Sequence, residues 1–374
     1  MTIEETLAEL VSFNSVSANS NLEIIEYLSA RAERAGMRVR LLSYRDEHDV
    51  EKANMIAVAG TQSFDEAELA LVGHTDTVPF DAAWTEALRL TEREGKLYGR
   101  GACDTKAYIA AALTVAKTVD LKSLRKPLAL IFTADEEVGC LGAKRLEDER
   151  PIHARYAIVG EPTSLQPMRA GKGYCLAEVR VRGREGHSAY PQTGASAIFR
   201  AARLVNHLER IALKLKRDER AGFDPPYTTL NVGLITGGTA KNIIAGECRF
   251  TLEWRPVPGQ SAERVLELLR EAVEEERRLD GDFACEIKPL RLDEGMETAA
   301  DSLLVRHLEE TSGRSAGSVA FGTEAPQMIA LGAEAVVFGP GDIRVAHRTG
   351  EFVPVDELHG CALILRRAVE RFCM

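Results

Sequence analysis

The chain predicts an α/β catalytic domain interrupted by a smaller βαββαβ domain, and three observations carry that reading. Short apolar runs at residues 69–72, 128–132 and 156–159 suit buried strands, and helical patterns lie between them. Each run leads directly into histidine or acidic residues, so the strand ends gather side chains able to do chemistry. From about residue 175 to 289 the pattern changes to half-exposed strands alternating with long amphipathic helices. The expected division is a catalytic domain built from residues 1–174 and 290–374, with residues 175–289 inserted as a second domain.

In chain order, residues 21–36 place Ile25, Leu28 and Ala32 on one face and end at Gly36, a helix with a C-terminal glycine. Strands are expected at 37–42 and 54–59, then the run 69–72 closes on Gly73-His74-Thr75-Asp76. Glycines 99 and 101 mark a turn before an alanine-rich helix at 107–119, so Asp104 falls near a helix N-terminus, where a carboxylate is favoured. The Gly-Arg-Gly loop satisfies neither phosphate-binding glycine pattern. The strand at 128–132 delivers Asp135, Glu136 and Glu137 together, and the strand at 156–159 ends at Gly160-Glu161. A last strand and a Gly-Pro-Gly turn precede His347.

Within the inserted segment, Ala177, Val179 and Val181 alternate with Glu178, Arg180 and Arg182. A helix follows, carrying Ile198, Ala201, Val205, Leu208, Ala212 and Leu215 on one face. Strands at 230–235 and 248–254, a helix at 262–279 and a short strand at 284–288 complete a ferredoxin-like βαββαβ order.

Composition narrows the function. Lys plus Arg number 47 against 57 Asp plus Glu, a formal charge of −10 without a basic stripe, which argues against nucleic acid. The seven cysteines are scattered without a C-x-x-C pair, as expected of reduced thiols in a cytoplasmic protein. No basic leader opens the chain and no apolar run is long enough to span a bilayer, so neither export nor a membrane partner is expected.

His74 and Asp76 lie two apart at a strand end, so their side chains can converge, and an imidazole binds metal best when a carboxylate holds its other nitrogen. Taken alone, the pair reads more readily as local hydrogen bonding, and Asp104 as a helix cap. Repetition changes the balance. Three strands bring His74, Glu136 and Glu137, and Glu161 to one carboxyl edge, where open α/β sheets bind ligands. Three successive acids are costly unless a cation sits among them. With His347 the set offers mixed nitrogen and oxygen donors suited to Zn²⁺, Mn²⁺ or Co²⁺.

In this order, GHTDTVP, GRGACDTK, ADEEVG, GEPT and His347 resemble the metal sites of the M20 metallopeptidase and deacylase family. VGEPTSLQPMRAGKG, GTEAP and FGPGD-x₄-H resemble its N-acyl amino acid deacylases, as does glutamate at 161. The resemblance covers nearly the whole chain. It implies that Asp104 bridges two divalent ions, with His74 and Glu161 completing one shell and Glu137 and His347 the other. Asp76 would support His74, and Glu136 would be the general base. The inserted domain would act as lid and dimer surface, making a homodimer in which His187, expected from the partner subunit, stabilises the oxyanion. Asn242 and Arg255 would meet substrate, Arg255 gripping an α-carboxylate. Glu324 reads either as structural or as a partner for a cationic substrate tail, and Cys103 lies beside the bridging aspartate.

The implied reaction is hydrolysis of the amide of an N-acyl amino acid, with N²-acetyl-L-ornithine the leading substrate, in arginine biosynthesis. The alternatives are acetylcitrulline, a succinylated diamino acid, an exo-dipeptidase reaction, or a non-catalytic metal-binding scaffold. The succinyl branch would be expected to show Gly-Thr-Ser-Asp where this chain has Gly322-Thr323-Glu324.

Overall fold

A computed structural model describes all 374 residues, which divide into two compact units. The first comprises Met1–Arg169, Glu297–Gly317 and Thr323–Met374, and the second Ala170–Met296 with Ser318–Gly322.

The first unit is built on a mixed sheet. Its strands run in the spatial order Arg38–Arg45, Glu51–Ala59, Leu128–Thr133, Glu66–His74, His153–Val159 and Glu334–Val337. The first two pair antiparallel, and the second pairs antiparallel with Leu128–Thr133. The last four are mutually parallel, so their carboxyl ends share one edge. Register fixes what meets there: His74 lies opposite Thr133, and Val72 opposite Val159. Short strands at Met168–Gly171, Met296–Glu297 and Gly317–Val319 occupy the stretches where the chain passes between units.

The central strands are buried along nearly their whole length, as parallel strands covered on both faces must be. The cover includes the helix Lys106–Thr118, whose alanines allow close approach, and the C-terminal helix Val355–Cys373. The helix Leu22–Ala35 ends at Gly36 with φ +97°, the left-handed cap that glycine adopts without steric cost. Five further helices of this unit, Ile3–Ser12, Leu141–Glu149, Leu303–Ser312, Ala325–Ala330 and Val355–Cys373, go beyond the sequence reading. The first did carry a signal, because Thr2 and Glu5 form a reciprocal capping box.

The second unit holds a four-stranded antiparallel sheet in the spatial order Thr229–Gly237, Glu247–Arg255, Cys175–Arg182, Ala284–Leu292. With helices Ala197–Leu215 and Arg264–Leu279 the chain order is βαββαβ. One sheet face is buried: Ala177, Val179, Val181, Phe250, Leu252 and Trp254 pack with Leu204, Leu208, Leu266 and Leu269 of the helices. The strand Thr229–Gly237 lies at the edge and exposes Leu234 and Ile235.

No helix of the chain is long and apolar enough to cross a membrane.

Candidate active site

At the common carboxyl edge of the first unit, Asp104 lies between two imidazoles. Its Oδ1 is 3.2 Å from His74 Nε2 and its Oδ2 is 3.2 Å from His347 Nε2. His347 Nε2 is also 3.0 Å from Glu137 Oε2. Ligand atoms of His74, Asp104 and Glu137 all lie within 4.8 Å of one another, a grouping able to hold a metal ion. Glu161 follows the strand His153–Val159 and is buried beside this group. The helix Lys106–Thr118 begins after Thr105, and Asp104 makes no cap to it. The carboxylate faces the imidazoles instead.

Local structure holds each donor in place. His74 Nδ1 lies 3.0 Å from the backbone carbonyl of Asp76, so Nδ1 carries the proton and Nε2 is left to face Asp104. The Asp76 carboxylate, 3.6 Å from Nδ1, does a second job. It accepts the backbone N–H groups of Glu136 at 3.0 Å and Glu137 at 3.2 Å, and the Ser17 hydroxyl at 2.7 Å. Asp104 is secured from behind by Glu351, fully buried, whose Oε1 accepts the backbone N–H groups of Cys103 at 2.9 Å and Asp104 at 3.0 Å. Its Oε2 accepts Arg100 Nη1 at 2.5 Å. Glu351 was absent from the sequence reading, although it stands four residues after His347. Nothing local distinguishes it from a surface acid.

Electrostatics make the group unusual. Burial, with the negative charges of Asp104 and Glu136, pushes the Glu161 carboxyl well above its ordinary range. Burial likewise pushes Glu136 up to about 8, against the opposing pull of His74. Burial raises Glu137 too. Burial works to raise Asp104, but hydrogen bonds from His347 and His74 prevail and hold it low. Hydrogen bonds to Asp104 and Glu137 push His347 up to about 10. Burial opposes protonation of His74, yet its hydrogen bonds to Asp104 and Asp76 prevail and raise it. The site thus concentrates more carboxylates than its two imidazoles can neutralise. Divalent cations fit such a donor set, because they offset the repulsion and accept oxygen and nitrogen ligands.

Glu324, also fully buried, accepts the Thr133 hydroxyl proton on Oε1 while its Oε2 has no partner. Burial pushes it up to about 7. Cys103 is buried, and burial pushes its thiol well up, away from the reactive thiolate form.

The other expected residues lie in the second unit. His187 is on the two-residue strand Gly186–His187, which pairs with Ile243–Ile244, and Ser188 N–H donates to the Asn242 carbonyl at 3.1 Å. The fold therefore brings His187 and Asn242 together on an exposed loop pair. His187 Nδ1 accepts the Ala189 backbone N–H at 3.1 Å, which leaves Nε2–H as a donor. Arg255 ends the strand Glu247–Arg255 on the face opposite the core. Its Nε donates to Glu253 at 2.8 Å and Nη1 to the Ala320 carbonyl at 3.1 Å, with the guanidinium 4.7 Å over the Tyr174 ring. Arg291 lies against the same ring, a neighbour that the sequence reading did not anticipate.

A buried His/Asp/Glu cluster on the carboxyl edge of an α/β sheet defines a metal-dependent hydrolase. The chain belongs to peptidase family M20/M25/M40, which residues 70–371 match. It is 55% identical to the acetylornithine deacetylase of Myxococcus xanthus over 372 residues, covering 99% of this chain and 97% of that protein. It is 34% identical to the acetylornithine deacetylase of Proteus mirabilis strain HI4320, covering 100% and 97%. Among solved structures, the fold matches an M20 family metallo-carboxypeptidase from Sulfolobus solfataricus with a TM-score of 0.77 at 18% identity, covering 100% of this chain and 99% of that one.

Proposed function

We propose that the protein hydrolyses N²-acetyl-L-ornithine to L-ornithine and acetate, a step of arginine biosynthesis. The observation that carries the substrate is the end-to-end similarity to acetylornithine deacetylase at 55% identity. His74, Asp104 and Glu161 would hold one divalent ion and Asp104, Glu137 and His347 a second, zinc first, with cobalt or manganese as alternatives. The distances from Asp104 to both imidazoles support its place as the shared carboxylate. Bound there, such ions supply Lewis acidity to the amide oxygen and lower the pKa of water.

The chain's own residues do the rest. Glu136 takes a proton from the attacking water and delivers it to the α-nitrogen as the C–N bond breaks, and the second water proton, left on the carboxyl product, then passes to the amine, so the products are acetate and an α-ammonium group. Asp76 holds the backbone of Glu136 and Glu137 in place. His187, whose Nε2–H is a donor, stabilises the negative charge that develops on the amide oxygen. Arg255, with Asn242, binds the substrate α-carboxylate. The Nε proton and one Nη1 proton of Arg255 are already engaged, which leaves the second Nη1 proton and both Nη2 protons for the carboxylate.

The protein is further proposed to be a cytoplasmic homodimer, its seven cysteines all being free thiols. The decisive experiment assays a panel of N-acyl amino acids on chelator-stripped protein with Zn²⁺, Co²⁺ or Mn²⁺ restored. Metal-dependent turnover with N²-acetyl-L-ornithine preferred is the expected result. Preference for a succinylated substrate or a dipeptide would reassign the substrate, and no hydrolysis with any metal would overturn the reading.

A further inference from the structure

Tyr44 and Lys52 stand directly opposite each other on the first two strands of the sheet, so one rung presents both side chains to the same face. Both reach Asp135. Lys52 Nζ donates to Asp135 Oδ1 at 2.9 Å, and the Tyr44 hydroxyl donates to Oδ2 at 2.9 Å. Lys52 is 1% exposed, and its remaining protons go to the carbonyls of Ser17 at 2.5 Å and Asn19 at 2.7 Å. Asp135 immediately precedes Glu136 and Glu137. It has φ +58°, a left-handed conformation that aspartate adopts more readily than most side chains.

The contacts close into a ring. Ser17 receives Lys52 on its carbonyl and gives its hydroxyl to Asp76, and Asp76 holds the N–H groups of Glu136 and Glu137. Asn54, two residues beyond Lys52 on the same strand, secures the rest of the loop. Its Oδ1 accepts Ala134 N–H at 3.0 Å and its Nδ2 donates to the Gly142 carbonyl at 2.8 Å.

We propose that Tyr44, Lys52 and Asp135 are positioning residues: a buried clamp that sets where the neighbouring Glu136 and Glu137 carboxylates stand for the reaction. Stability alone explains the pair poorly, because replacing a buried ion pair by apolar groups is often neutral or stabilising. Placement explains it well. Asp135 is tied at both oxygens on one side of its peptide while Asp76 ties the next two N–H groups, which leaves the Glu136–Glu137 backbone little freedom.

The inference rests on reading Glu136 as the base and Glu137 as a metal ligand. Its test compares Tyr44→Phe, Lys52→Met and Lys52→Met/Asp135→Asn with the wild type by three measurements. These are thermal melting, Zn²⁺ affinity of the stripped protein by competition titration, and kcat and KM for N²-acetyl-L-ornithine per metal-loaded molecule. Loss of outer hydrogen-bond partners of metal sites costs about 10- to 100-fold in affinity or activity. The expectation is a fall of about tenfold in kcat for Tyr44→Phe, larger for Lys52→Met, with KM within about twofold and Zn²⁺ binding weakened in parallel. The double variant, having lost both charges, should be no worse than Lys52→Met alone. Tyr44→Phe keeps its ring against Arg145 and loses one hydroxyl, so it remains readable if the lysine variant does not fold. Wild-type kcat and Zn²⁺ affinity in Tyr44→Phe would overturn the clamp. Failure of the wild type to hydrolyse the substrate would overturn the proposed function instead, while the titration still tests the clamp.

Discussion

Glu136 and Glu137 are neighbours in sequence with different surroundings. Glu137 lies against His347, whereas Glu136 is raised by burial and its carboxyl is met by the Cys140 thiol at 3.3 Å. Glu136→Gln should therefore retain metal, measured by elemental analysis, and lose about 10²- to 10⁴-fold in turnover. Loss of metal from that variant would exchange the roles of the two glutamates. Glu351 makes a comparable case behind Asp104. Glu351→Gln keeps one oxygen for the Cys103 and Asp104 N–H groups but removes the charge that faces Arg100, leaving a buried guanidinium uncompensated. The expected result is a loss of about 3–5 kcal/mol in stability to denaturant. An unchanged transition would mean that Arg100 is neutralised by another route.

Strands and helices act on the site through close approach. Gly160 links the strand His153–Val159 to Glu161, and a Cβ at this position would lie 2.2 Å from the ring of Tyr108 on the helix Lys106–Thr118. Tyr108 cannot simply rotate away, since its hydroxyl donates to the Ile158 carbonyl at 2.6 Å. Gly160→Ala forces strand and helix apart, and these carry Glu161 and follow Asp104 respectively. We expect a destabilisation of about 1–3 kcal/mol, as overpacking typically costs, together with weaker metal retention. Thermal melting and metal analysis check both, and a variant that matches the wild type would show that the helix can shift freely. In the second unit the exposed edge strand Thr229–Gly237 is a different kind of element. Unpaired backbone groups beside exposed Leu234 and Ile235 invite a second strand. If the proposed homodimer forms along this edge, Leu234→Lys/Ile235→Lys should leave only monomer by light scattering. An unaltered mass would place the interface elsewhere.

At the scale of the whole molecule, the proposed division of labour joins Glu136 in the first unit with His187 in the second. If His187 acts across a homodimer, mixing inactive His187→Ala subunits with inactive Glu136→Gln subunits should regenerate activity, because one hybrid site then holds both wild-type groups. Assay after verified subunit exchange checks this. Absence of recovery would assign His187 to its own subunit or to no part of the reaction.

The chemistry-bearing residues were legible in the sequence because each directly follows an apolar strand run or sits in a short motif. His74, Glu136, Glu137 and Glu161 could be placed at strand ends from period and spacing, whereas Asp104 by itself read as a helix cap and joined them only through the family resemblance. The βαββαβ order could be read for the same reason: half-buried strands and amphipathic helices write their periodicity locally. What held those residues in position was not legible. Lys52 and Tyr44 pair with an acid 83 and 91 residues away, and Glu351 reaches back 247 residues to the Asp104 N–H. In sequence they are an ordinary lysine, tyrosine and glutamate. The division of Asp76, with its carbonyl toward His74 and its carboxylate toward the next loop, depends equally on which strand lies beside which. Periodicity records which residues are buried, whereas hydrogen bonds between distant segments exist only once the sheet has chosen its strand order and register.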